Sequence, residues 1–170
     1  MKTFLKFSGL ISLLVGVVGF ILMLATQSVV ITSGNSTYFF TGPEVMFGCT
    51  KQAALGLVAI TYKGAPLGLI AFILVIVALL ILLAAFVLPL AKVTVLERFA
   101  GVLNLAALVT LVLAGVFMFS VVPNFFGVNE LNIPEGAGLG AGWVIGGILF
   151  IAAGAIAICP AVADFLGKKK

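Results

Sequence analysis

Ile70 to Leu88 reads IAFILVIVALLILLAAFVL, nineteen consecutive positions without one polar side chain. At about 1.5 Å rise per residue, an α-helix of that length covers roughly 28 Å, close to the ~30 Å hydrocarbon thickness of a bilayer. A barrel strand would be shorter, about 10 residues, and would alternate in polarity. The stretch therefore reads as a membrane-spanning helix.

Working outward from it, three further apolar runs have the same character. Together the four cover Phe4 to Ile31, Pro66 to Leu90, Phe99 to Val122 and Ala137 to Val162. The whole chain of 170 residues is 64% hydrophobic and 8% charged, against about 45–50% and about 25% in soluble domains. A soluble chain of this size leaves too much surface exposed to hide that apolar content. The first run also has the basic start of a secretory signal, with Lys2, Lys6 and a small residue at Ala25. It is longer than the usual apolar core of such a signal, so it is expected to stay as a span.

Lysine and arginine set the orientation. With four spans the connecting segments fall into two sets. One holds Lys2, Lys6, Lys92, Arg98, Lys168, Lys169 and Lys170; the other holds only Lys51 and Lys63. The lysine-rich side, with both termini, is expected to be cytoplasmic, and the membrane is expected to be the plasma membrane. The cytoplasmic face is then a short turn around Lys92 to Arg98 and a tail, with Glu97 placed at a helix start.

The opposite side carries Thr32 to Ala65 and the shorter Pro123 to Gly136. Ser28 to Ile31 and Thr37 to Phe40 are β-prone runs around the turn-like Ser33-Gly34-Asn35-Ser36. Gly42-Pro43 is a second turn signal, before Glu44 to Phe47. A short antiparallel hairpin or three-stranded sheet is expected there, and Gln52 to Ile60 reads as a helical extension or interfacial segment. The fold class is thus an all-α integral membrane protein. It is a single membrane domain, a four-transmembrane-helix bundle with a small extracellular β-hairpin or sheet between helices one and two.

Within the spans, Gly138, Gly142 and Gly146 recur every four residues and are expected to share one helix face, a groove for close helix approach. A weaker small-residue face in span one, Ser8, Ser12 and Gly16, is its candidate partner. Asn104 is the strongly polar side chain well inside a span; burial of an amide demands a hydrogen bond, expected to another helix. Trp143, Tyr38 and Tyr62 read as interface anchors. Asn35-Ser36-Thr37 matches the glycosylation acceptor pattern. Cys49 and Cys159 fall on opposite sides of the membrane and cannot pair; Cys159 reads as a small apolar helix residue, with acylation the alternative.

What is missing narrows the function. The chain has no His, which removes the commonest general base and metal ligand. No Asp, Glu, Lys or Arg sits at the centre of a span, as proton relays and ion-coupled carriers require. No basic stripe points to nucleic acid. No cofactor, metal site or catalytic residue is expected. The partners expected are membrane lipids and either further copies of the chain or other membrane subunits. The function expected is that of a non-enzymatic structural or accessory subunit, or a self-assembling interaction protein. An oligomeric pore for ions or small solutes, lined by Asn104, Thr110 and the glycine face of span four, is the alternative.

The layout resembles that of claudin-like tetraspan proteins, which also have four spans, inner termini, a larger first outer segment with β structure and a smaller second one. The resemblance covers the whole chain as a layout. That family's first-segment signature, a Trp followed by Gly-Leu-Trp and two cysteines, is absent, since the single Trp is Trp143 and the segment holds only Cys49. No residue role carries over.

Overall fold

The structure is a computed structural model describing residues 2–52, 59–90 and 99–167, with side chains over 7–52, 59–87 and 99–162. The elements in order are α1 (Lys2–Ala25), β1 (Gln27–Ser33), β2 (Ser36–Thr41), α2 (Gly42–Phe47), β3 (Cys49–Gln52), β4 (Ala59–Tyr62), α3 (Pro66–Leu90), α4 (Ala100–Phe119), α5 (Val121–Val128), β5 (Ala137–Leu139) and α6 (Ala141–Gly167). Four of these, α1, α3, α4 and α6, are long and apolar enough to cross a membrane. The expected turn around Lys92 to Arg98 and the lysine tail at 168–170 lie outside the described residues.

Each long helix buries a stripe at three- and four-residue spacing, the period that keeps a seam facing its neighbours. On α1 the stripe is Ser8, Ser12, Gly16, Gly19 and Met23; on α3, Ala71, Val75, Ala78 and Leu82; on α4, Ala107, Leu111, Ala114 and Met118; on α6, Trp143, Gly146, Phe150, Ala153 and Ala157. The residues are mostly small, as expected where helices associate by close packing and not by escape from water. α6 packs against both α1 and α4, and α4 also packs against α3, while α1 and α3 meet less extensively. The opposite faces are aliphatic and exposed.

All five strands lie at one end of the bundle, the sheet face. Ser33-Gly34-Asn35-Ser36 closes the β1–β2 hairpin, with Ser33 opposite Ser36. Gly34 has φ of 57° while Asn35 has no positive φ, the signature of a two-residue II′ turn. The sheet has three strands, in the order β2-β1-β5. Its third strand is not near Glu44 to Phe47, which form α2: Pro43 opens the helix and Glu44 sits in its first turn, both suited to a helix start. The third strand is β5, which pairs Val29 with Leu139 and Ile31 with Ala137.

Three boundaries therefore differ from the hydropathy reading. Span one stops at Ala25, because Val29, Val30 and Ile31 are β-branched and join the sheet. Span four starts at Ala141 and not at Ala137. Gln52 and Ile60 belong to an antiparallel pair, β3 with β4, so they are not helical; residues 53–58 lie outside the described residues. Span three ends at Phe119, and α5 follows after Ser120. Pro123 supplies the reason, since its ring lacks the N–H that would continue the ladder to Phe119.

Candidate functional site

Among the described residues, polar side chains inside the helices are satisfied by the chain itself. Ser12 Oγ on α1 donates to the Ala153 carbonyl of α6 at 2.6 Å. Asn104 is buried, but its Nδ2 donates to the Ala100 carbonyl one turn back, at 2.9 Å. The expected bond to another helix is therefore replaced by one within α4. Thr110 Oγ1 likewise reaches the Ala106 and Ala107 carbonyls of its own helix.

The glycines do not form one stripe. Gly138 lies in β5, with open space where a Cβ would point. Gly142 abuts Thr26. Gly146 faces α1, where a Cβ would stand 3.3 Å from the Gly19 carbonyl oxygen. Gly16 is filled by Leu79 of α3, with the Ala153 Cβ 3.9 Å away. The other face of α6 uses Gly147 and Gly154 against Gly115 and Leu108 of α4. Gly19 lies on the same α1 stripe as Gly16 but three residues on, outside the four-residue spacing of Ser8, Ser12 and Gly16, and Gly115 has no glycine in step with it on α4. Asn35 sits in the exposed hairpin turn.

The densest polar geometry lies where the sheet meets the bundle. The last turn of α1 leaves carbonyls without helical partners. Thr26 Oγ1 donates to the Leu22 carbonyl at 2.6 Å, Trp143 Nε1 to the Met23 carbonyl at 2.9 Å, and Gly42 N–H to the Thr26 carbonyl at 3.2 Å. Gly42 must lack a side chain, because a Cβ there would collide with the Met23 carbonyl oxygen. Trp143 is fully buried, so it is a helix cap and not the interfacial anchor the sequence suggested. Tyr62 is half-buried against Phe40 and Phe125, whereas Tyr38 is exposed.

The second connection is clamped by two asparagines that the sequence reading passed over. Asn129 Oδ1 accepts from Lys63 N–H at 2.6 Å and its Nδ2 donates to the Lys63 carbonyl at 3.1 Å. Asn124 Oδ1 accepts from Leu67 N–H at 3.0 Å, satisfying an orphan donor at the start of α3. Their signal was an amide inside the short apolar α5 and a second one just past its end.

Lys51 and Glu44 form the one ion pair among the described residues, at 3.1 Å. Glu44 Oε2 also accepts from Thr41 N–H at 2.7 Å. Partial burial pushes the Glu44 carboxyl up, but the Thr41 N–H and Lys51 outweigh it and hold its pKa below the ordinary value. Lys51 Nζ also donates to the Phe39 carbonyl and stands 4.6 Å from the Phe40 ring centroid. Phe39 belongs to β2, an edge strand, so Lys51 blunts an edge that would otherwise invite pairing. Cys49 is half-buried and its thiol pKa is raised, by burial first and by Glu44 second. Cys159 is exposed near the far end of α6, and both cysteines are free.

No protein-family profile matches the chain, and no curated protein matches it either.

Proposed function

We propose that the chain is a non-enzymatic tetraspan membrane protein that works as a structural or accessory subunit, or as a self-assembling interaction protein. It acts through the sheet-face module and the helix faces. The observation that carries this reading is the module itself. It is fixed to the bundle by Trp143, Gly42, Asn124 and Asn129, and it still displays Tyr38, Ile60, Leu131 and Ile133 as exposed apolar side chains. A rigid surface that presents large apolar groups suits recognition of another chain.

The distribution of Lys and Arg, seven on the terminal face and two on the sheet face, supports a module outside the cell and cytoplasmic termini in the plasma membrane. The pore alternative has less to stand on. Asn104 and Thr110 spend their donors on their own helix, and the glycine faces of α6 are filled by α1 and α4.

Native mass spectrometry after mild detergent extraction tests the reading. A stoichiometric membrane companion or a closed homo-oligomer is expected. A strictly monomeric chain that retains no partner would reject it, and solute flux through reconstituted protein would move the conclusion to the pore.

A further inference from the structure

A pocket of about 410 Å³ opens at the junction of α1, the sheet and α6. Its walls are Ala25, Thr26 and Gln27, then Phe39 and Thr41 of β2, then Ala141 and Gly142 of α6. None of these side chains is charged.

Its position in the fold identifies what fills it. Ala25 is the last member of an exposed stripe on α1 that runs through Leu14, Val18 and Ile21. Ala141 is the first member of an exposed stripe on α6 that continues through Ile145 and Ile148. Both helices end here, so a bilayer crossed by them would give way from hydrocarbon to headgroups near this level. The valley between the stripes is narrow because Gly19, Gly142 and Gly146 bring the two helices close. The pocket is thus the polar head of an apolar groove.

We propose that this pocket seats the glycerol-ester region of a phospholipid from the sheet-face leaflet, with one acyl chain lying in the valley between α1 and α6. The Gln27 carboxamide donates to an ester carbonyl, and Phe39 packs along the first acyl carbons; the Thr41 hydroxyl is engaged with Glu44 and only shapes the wall. The lining holds no Lys or Arg, and Lys51, 5.4 Å from the Phe39 ring, is paired with Glu44, so the site reads the ester region and not headgroup charge. Such a site goes beyond the assembly reading and stands whether or not the chain has protein partners.

The test uses the full chain in phosphatidylcholine nanodiscs doped with a phosphatidylcholine bearing a diazirine close to the ester. Cross-links are mapped by mass spectrometry. Labelling is expected to be several-fold higher on the segments around Gln27, Thr41 and Ala141 than on the exposed Ile73-to-Leu80 stripe of α3. Ala141→Phe, which fills the pocket from an exposed position, is expected to abolish that enrichment, and Gln27→Ala to reduce it. Replacing the probe by its phosphatidylglycerol counterpart is expected to change nothing. Fluorescence of the single Trp143 reports whether each variant is folded. Even labelling along all four helices overturns the proposal, as does enrichment that survives in folded Ala141→Phe, or a strong preference for the anionic probe.

Discussion

The indole Nε1 of Trp143 donates to the carbonyl oxygen of Met23 at 2.9 Å, across 120 residues of sequence. The bond closes the C-terminal end of the first span with a side chain from the start of the last. Trp143→Phe keeps an aromatic ring in the site and removes the donor. It is expected to cost about 1–3 kcal/mol, the price of a buried carbonyl left unsatisfied. Trp143→Ala adds a cavity and should cost about 3–5 kcal/mol. Unfolding in mixed micelles measures both, and a Trp143→Phe variant as stable as the parent would mean that packing alone matters.

Glycine positions that look alike in the sequence are expected to separate sharply. Gly138→Ala should fall within about 0.5 kcal/mol of the parent, since its Cβ enters open space. Gly19→Ala places a Cβ 2.9 Å from the Phe150 ring, and overpacking of this kind costs about 1–3 kcal/mol. Gly42→Ala should be the most damaging of the three, because it meets backbone that cannot swing aside. Thermal melts in detergent rank them, and a destabilised Gly138→Ala would contradict the open space around β5.

The four long helices were legible because lipid demands some twenty apolar residues per crossing and no other structure meets that demand here. The hairpin was legible because Gly34 and the flanking β-branched residues are strong local signals. The third strand was not, because Ala137, Gly138 and Leu139 carry no β preference and pair only when β1 is already present. Regular spacing misled in the same place: Gly138 falls in step with Gly142 and Gly146, yet the helix starts three residues later. The caps at Trp143, Asn124 and Asn129 join residues more than fifty positions apart, and no local pattern announces such bonds.

Ser12 and Asn104 are both buried and polar, but their bonds differ in kind. Ser12 joins α1 to α6, so Ser12→Ala should weaken that contact by about 0.6 kcal/mol, and by no more than roughly 1.7. Asn104 bonds its own helix, so Asn104→Leu, which keeps the branching but is bulkier, should cost no more than the about 1–3 kcal/mol of overpacking. Unfolding of Ser12→Ala in bilayers, compared with the parent, checks the first. A loss of several kcal/mol in Asn104→Leu would show that the amide holds helices together after all.

The pairing of Glu44 with Lys51 and the Thr41 N–H makes the sheet-face module acid-sensitive. The folded state lowers the Glu44 pKa below its ordinary value of 4.5, so the unfolded chain takes up the proton first as pH falls. The stabilisation is then fully present above pH 4.5 and is lost as pH drops through the lower, folded value. Melting temperature followed downward from neutral pH should decline in that acidic window for the parent chain. Glu44→Gln, which keeps an acceptor for Thr41 but drops the charge, should begin less stable and show a flatter decline there. High salt should narrow the gap between the two at neutral pH, because the pair is partly exposed and ions screen it. Parallel curves for parent and variant across the acid range would rule out Glu44 as the titrating group.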